Sequence, residues 1–391
     1  MRDVALMWLL LGWFGLPVYG QVEIPEGFEI VEIVSSEYPT GFPAINRCGQ
    51  VVFDRQLERV SSSKEIFLYD NGRLERITEN DVRDRWPAID DAGRMVWART
   101  IGKAPDNSVI LYEDGRETVL ESRRYGLADP AINNLGHVTW SRFRRSDCPL
   151  AQDVVVWDGR EVTRITPKDD FNDQAPEIND DGWIVWGHSN NCVNPWEGDI
   201  RLYRDGVIEV LPNDTDQPQS PAVNNNGQVV WKRTPGLASW KDGKTVLLTD
   251  WSSKPSLNNL GDVYLSRWHE DIQVHQPWLY RVSDGEPHFH RLAADGAGHG
   301  VGDITDWGEA VWDRNAFGGH SNGELYLRRI RTGDSEFDAD VDLMDYAVFG
   351  DCMTGPGRVD RLCDCRFLDI DHDGDVDLGD FALFQEAFEG K

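Results

Sequence analysis

Residues 87–97 read PAIDDAGRMVW, and the same frame recurs along the chain. It appears as PAINRCGQVVF from Pro43, PAINNLGHVTW from Pro130, PEINDDGWIVW from Pro176, PAVNNNGQVVW from Pro221 and PSLNNLGDVYL from Pro255. A last copy, GDITDWGEAVW from Gly302, keeps the frame without the proline. The glycines Gly49, Gly93, Gly136, Gly182, Gly227, Gly261 and Gly308 follow one another at intervals of 44, 43, 46, 45, 34 and 47 residues. Four residues beyond each stands Phe53, Trp97, Trp140, Trp186, Trp231, Leu265 or Trp312. One unit is therefore written seven times.

Each unit has a second half. Ile66-Phe67-Leu68-Tyr69 leads through Asp70-Asn71-Gly72 into Leu74-Glu75-Arg76-Ile77-Thr78, and similar runs end at Asp114-Gly115 and Asp205-Gly206. Asn-Asn-x-Gly, Asn-Gly and Asp-Gly read as hairpin turns, because these residues tolerate positive φ. Four short strands per unit, at a period of about 40–50 residues, signal a β-propeller blade. A helical repeat would show a 3.6-residue period, and none is present. The sequence predicts a mainly β fold with seven blades, six or eight being the alternatives. The last unit lacks a fourth strand after Glu324-Leu325-Tyr326-Leu327-Arg328-Arg329, while residues 27–33 (GFEIVEI) read like one. The N-terminal strand is expected to complete the last blade and so pair an open sheet edge.

At these repeats residues 21–331 resemble the TolB-like and WD-like propeller families. The resemblance implies binding of proteins, peptides or glycans, or service as a non-catalytic domain of a hydrolase. The repeated tryptophans are expected to fill the wedges between blades. Trp183, Trp196, Trp251, Trp268 and Trp307 lie off the repeat and are the candidates for stacking on a glycan.

The chain has 391 residues and a net charge of −29. That charge argues against nucleic acid, which rewards clustered Lys and Arg, and against anionic lipid. Residues 4–16 form an uninterrupted apolar run, shorter than the ~20 residues a membrane-spanning helix needs. Small residues before Gln21 complete a signal-peptide pattern over 1–20, so a secreted, extracellular protein is expected, with the periplasm or cell surface as variants. Secretion makes the six cysteines candidates for disulfides. Cys148 and Cys192 form one expected pair, Cys352 pairs with Cys363 or Cys365, and Cys48 is left over.

Residues 332–391 read as a separate module. From Asp334 onward there are 17 acidic and 4 basic residues, a charge of −13 in 58 residues. Val341-Asp342-Leu343-Met344-Asp345 recurs at an offset of 35 as Val376-Asp377-Leu378-Gly379-Asp380. Counted as a twelve-residue calcium loop from Asp369, positions 1, 3, 5, 9 and 12 are Asp369, Asp371, Asp373, Asp377 and Asp380. Gly374 at position 6 allows the sharp turn, and Asp375 at position 7 offers its carbonyl. Calcium takes six to eight oxygens, and this spacing wraps the chain around one ion. The first loop, with Asp334, Glu336, Asp338, Asp340, Asp342 and Asp345, has Ala339 where glycine belongs and is the weaker candidate for a second Ca²⁺. Position 12 is Asp in place of the Glu usual in EF-hands, and here the tail resembles type I dockerins. The resemblance implies two loops each followed by a helix, packed through Phe381, Phe384 and Phe388 against Tyr346, Phe349 and Met353. It further implies a cohesin-like or other protein partner in a setting of polysaccharide breakdown. Leu343-Met344 and Leu378-Gly379 replace the hydroxyl pairs common at the partner-selecting positions.

No catalytic residue is assigned. Gly319-His320-Ser321-Asn322-Gly323 fits a nucleophile-elbow pattern but falls between two strands of the last unit, without the strand–turn–helix that chemistry needs. His288, His290, His299 and His320 follow no metal-site spacing and read as solvated loop residues. The favoured function is a secreted, non-catalytic binding protein whose propeller engages a glycan or protein and whose tail attaches through calcium. The alternative is a polysaccharide hydrolase or lyase with its site in the propeller channel.

Overall fold

The computed structural model describes residues 28–387 apart from 59–62, 101–106, 125, 145–150, 191–197, 213–217, 251–252, 270–272, 284–285, 294–296, 315–323, 331–332, 334–340, 342, 354–362 and 372–374. The signal-peptide reading, Cys148, Cys192, Trp196, Trp251, His320, the Gly319–Gly323 motif and Phe388 lie outside the described residues.

Each of the first six repeat copies folds into four antiparallel strands, and the last copy into three. The proline-bearing segment forms the first strand of its unit: Thr40–Ile45, Arg83–Ile89, Leu127–Ile132, Asn172–Ile178, Gln219–Val223, Ser256–Leu257 and His299–Ile304. The N-terminal strand Phe28–Val34 pairs antiparallel with Glu324–Ile330, Phe28 opposite Ile330 and Val31 opposite Leu327. The last sheet therefore takes its fourth strand from the start of the chain. Ile30 packs on the Trp312 cluster and Val34 joins the cluster of Phe53 and Leu325, so this strand also covers core. The repeat tryptophans Trp97, Trp140, Trp186, Trp231 and Trp312 have no exposed surface.

The tight turns follow the expected chemistry. Asn71, Asp114, Asp205 and Asp242 take positive φ, each followed by a glycine that does so too, which matches the right-handed twist of the flanking strands. The Asn-x-x-Gly loops work differently: there only the glycine is left-handed. Gly49 N–H donates to the Asn46 carbonyl at 3.0 Å, and the Gln50 N–H to the Asn46 side chain at 3.0 Å. In those loops Asn is selected for its side chain and not for its backbone freedom.

One feature escapes the sequence reading. Phe42, Trp86, Asp129, Ala175 and Ser220, each directly before a repeat proline, have φ between 48° and 56°. A residue before proline prefers extended backbone, and left-handed φ is an outlier for a bulky side chain. The register slips here in each first strand, for instance between Arg85 and Ala88. The bulge turns the residues on either side of the proline away from the sheet core: Pro87 and Pro176 are buried, while Trp86, Ala88, Ala175 and Glu177 are half-exposed.

The C-terminal residues form two α-helices, α1 over Leu343–Cys352 and α2 over Leu378–Ala387, with a 3-10 turn over Cys363–Leu368. Phe349 meets Phe381 at 5.5 Å and Phe384 at 5.3 Å between ring centres, the pairing expected from the sequence. Cys352 bonds to Cys365. Cys48 is also disulfide-bonded and no described cysteine is free, which corrects the expectation of a leftover thiol. Histidine placement is corrected as well. His288 and His290 lie on the strand Glu286–Arg291 and not in a loop, His288 exposed as expected and His290 half-exposed, while His299 is buried at the start of its strand. No helix among the described residues is long and apolar enough to cross a membrane.

Candidate functional site

The first strands of all units face a common axis, and their turns close one end of it. There the Asn-x-x-Gly loops hold one another in two belts of hydrogen bonds. In the first, the Asn133 side chain donates to the Asn179 carbonyl at 2.8 Å, Asn179 to Asn224 at 2.9 Å and Asn224 to Asn258 at 2.9 Å. In the second, the Asn134 N–H donates to the Asp180 carboxylate at 2.8 Å, and that of Asp180 to the Asn225 side-chain oxygen at 2.8 Å. Each bond runs from one unit to the next. The loops surround a polar cavity of about 220 Å³.

Deeper along the axis, chemistry replaces scaffolding. The residue after the repeat proline is Ala44, Ala88, Ala131 or Ala222 in four units, but Glu177, Ser256 and, after Gly302, Asp303 in the others. The residue before it is Asp129 in one unit and Lys254 in another. Ring geometry brings these departures together. Lys254 Nζ lies 3.2 Å from Glu177 Oε1, and Asp129 and Asp303 face the same ammonium. Asp303 accepts from Ile45 N–H at 3.0 Å and from the Ser256 hydroxyl, tying the last unit to the first and to the unit before it. Asp129 accepts from Ala175 N–H and sees the Arg85 guanidinium, which lies 4.3 Å over the Trp86 ring. Trp86 in turn meets Phe42 edge-on at 6.3 Å.

Burial pushes the carboxyls of Asp129, Glu177 and Asp303 above their ordinary range, only partly offset by Lys254. Burial alone would lower Lys254, but Glu177 and Asp129 outweigh it and hold the ammonium above its usual value. Protein surrounds the pair, yet Lys254 and Glu177 keep 47% and 32% of their side-chain surface accessible, so the channel is open to solvent at this depth. Raised carboxyls beside an amine can bind a polar ligand or exchange protons with one.

The C-terminal loop gathers the second candidate site. Carboxylate oxygens of Asp369, Asp371 and Asp380 lie within 4.8 Å of one another, as do those of Asp375, Asp377 and Asp380. Asp380 belongs to both groups and is fully buried, its oxygens accepting from the N–H groups of Ile370, Asp371 and Asp377. This donor set of hard oxygens fits a calcium ion. Asp373 lies outside the described residues, as do Asp334, Glu336, Asp338, Asp340 and Asp342 of the first loop. Asp345 is described and fully buried.

This module rests on the propeller. The Arg366 guanidinium pairs with Glu309 and donates to the Arg47 carbonyl, while Asn71 donates to Asp369 at 2.6 Å. A Cβ on Gly49 would meet Arg366 Nε at 2.8 Å, so glycine there makes room for this contact as well as for the turn.

The described aromatic candidates do not converge. Trp183 is covered by Arg204 at 5.0 Å, Trp307 by Arg47 at 5.2 Å, and Trp268 stacks edge-on with His275 at 5.4 Å. The sequence reading overlooked Trp86 and Phe42, whose place beside the repeat proline was the available signal.

No family model and no curated protein matches the chain. Solved structures do. The β-propeller domain of the trilobed protease from Pyrococcus furiosus matches at a TM-score of 0.57 and 12% identity, over 76% of this chain and 96% of that one. A streptogramin B lyase matches at 0.53 and 12%, over 78% and 98%. TolB from Acinetobacter baumannii matches at 0.46 and 12%, over 72% and 63%. The chain shares the β-propeller fold with the first two of these, and at such identities the likeness extends to the fold alone.

Proposed function

We propose that the chain is a secreted binding protein, a seven-bladed propeller that engages a glycan or protein ligand and carries a dockerin-like module for calcium-dependent attachment to a cohesin-like or other protein partner. The observation that carries this reading is the pair of carboxylate groups sharing buried Asp380. Three acids whose oxygens crowd within 4.8 Å repel one another, and a divalent ion is the natural counter-charge. Asp369, Asp371, Asp377 and Asp380, with Asp373 and the Asp375 carbonyl, would hold it. The first loop is proposed as a second, weaker site. Seven repeat copies, six with four strands of their own and the last completed by the strand Phe28–Val34, support seven blades. The setting of polysaccharide breakdown rests on the dockerin resemblance.

A second reading, a hydrolase or lyase in the channel, is favoured by the meeting of Asp129, Glu177 and Asp303 around Lys254. Incubation of the full chain with polysaccharides, with and without chelator, separates the two. The binding reading expects retention on a polysaccharide or partner without product. Product release abolished by Glu177→Gln would replace it with the enzyme reading.

A further inference from the structure

Cys48 is disulfide-bonded, and the bond between Cys352 and Cys365 accounts for two of the other five cysteines. Cys148, Cys192 and Cys363 are left as its partner, and chain topology separates them. Cys48 lies between Thr40–Ile45 and Val51–Gln56, in the loop that joins the first strand of its unit to the second. The belts keep these loops on one level: the Arg47 N–H donates to Asp91 at 2.8 Å, that of Asp91 to Asn134 at 2.9 Å and that of Asn134 to Asp180 at 2.8 Å. Cys148 falls between Val138–Phe143 and Gln152–Trp157, and Cys192 between Ile184–Ser189 and Gly198–Arg204, in segments that join second strands to third. Those segments start and end at the opposite face, about 20 Å from the belts along a six-residue strand. Cys148 is three residues from Ala151 and Cys192 two from Asn190, so neither can come back by more than about 11 Å. A disulfide needs Cα atoms about 4.4–6.8 Å apart, which neither can reach.

Position 363 meets the requirement. Cys48 stands between Arg47, whose carbonyl accepts from the Arg366 guanidinium, and Gly49, where a Cβ would meet Arg366 Nε at 2.8 Å. Cys363 opens the 3-10 turn Cys363–Leu368, and in such a turn positions three apart lie on one face. Position 363 is therefore on the face that Arg366 turns to this loop. We infer that Cys48 bonds to Cys363, a disulfide that ties the C-terminal module to the first unit of the propeller. Each thiol gives up one proton and one electron. A protein disulfide oxidant takes both electrons by thiol–disulfide exchange and leaves as a dithiol, in the secreted setting proposed above. The bond holds the module where Asn71 donates to Asp369 at 2.6 Å, so the calcium loop is fixed to the propeller and does not swing on a linker. Loss of the Arg366 contact alone unseats the module but leaves it joined.

The test is disulfide mapping of the full chain without reductant, free thiols first alkylated. Trypsin cuts after Arg47 and an Asp-specific protease before Asp364, which parts Cys363 from Cys365. The peptide Cys48–Phe53 is expected joined to one carrying Cys363, and freed from it by reductant. Cys48 joined to Cys148 or Cys192, or found alkylated, would overturn the tether. Six alkylated cysteines would overturn the secreted reading with it. Limited proteolysis near residue 333 gives an independent readout: the two fragments should stay together on a non-reducing gel and part on reduction. A Cys48→Ser, Cys363→Ser double variant should be cut there at least about tenfold faster than the parent. Fragments that part without reductant, or a double variant cut at the parent's rate, would contradict the inference.

Discussion

Asp129 illustrates how a single residue departs from its repeat. It occupies a left-handed position before proline, where other units place Phe42, Trp86, Ala175 or Ser220. Burial raises its carboxyl above the ordinary value of 3.8. A group with a raised folded pKa binds its proton more tightly in the native state. Native stability therefore falls as pH rises from about 3.8 through the raised value. Asp129→Asn keeps an acceptor for Ala175 N–H and removes the charge. Its melting temperature should equal or exceed the parent's at pH 7, and the difference should vanish below about pH 4; a lower melt at pH 7 would contradict this sign. Lys254→Met should do the opposite, melting lower at pH 7 and regaining ground in acid as its carboxylate neighbours take up protons. The substitutions at Glu177, Asp303, Asp129 and Lys254 were visible in the aligned repeats. Their meeting was not, because they stand 48 to 174 residues apart and only ring closure brings them to one axis.

At the scale of elements, the strands were legible because their hydrophobic runs recur at a constant period between Gly-bearing turns. The loops that join unit to unit were read only in part. Asn179 takes the Trp183 N–H on its oxygen at 2.8 Å and reaches the next unit's carbonyl at 2.9 Å while buried. The turn motif announced a hairpin, but nothing local announced a bond to residue 224. Asn179→Ala should cost about 2 kcal/mol, because it strands buried partners on both sides, and should lower the melting temperature by several degrees. The closing strand Phe28–Val34 makes the strongest demand on the fold. Deleting residues 21–36 exposes the edge of Glu324–Ile330 and the apolar surface of Leu325 and Leu327. The melt should drop sharply, and an unchanged melt would sink the closure.

For the whole molecule, the charge of −29 resolves into a mildly acidic propeller and a tail carrying −13. The tail's loop, helices and aromatic packing could be read from spacing. Its seat on the propeller could not, since Arg366 finds Glu309 across 57 residues and Arg47 across 319. Arg366→Ala should release the module, seen as faster proteolytic cleavage near residue 333 with the propeller melt preserved. Asp369 serves both the acidic loop and Asn71, so ion binding and seating share one side chain. The most direct test of the account is titration of calcium into the metal-stripped full chain by calorimetry. The account predicts a saturable heat from the second loop that disappears in an Asp369→Ala, Asp380→Ala double variant. Absence of calcium heat in the parent, or a double variant that binds like the parent, would contradict it.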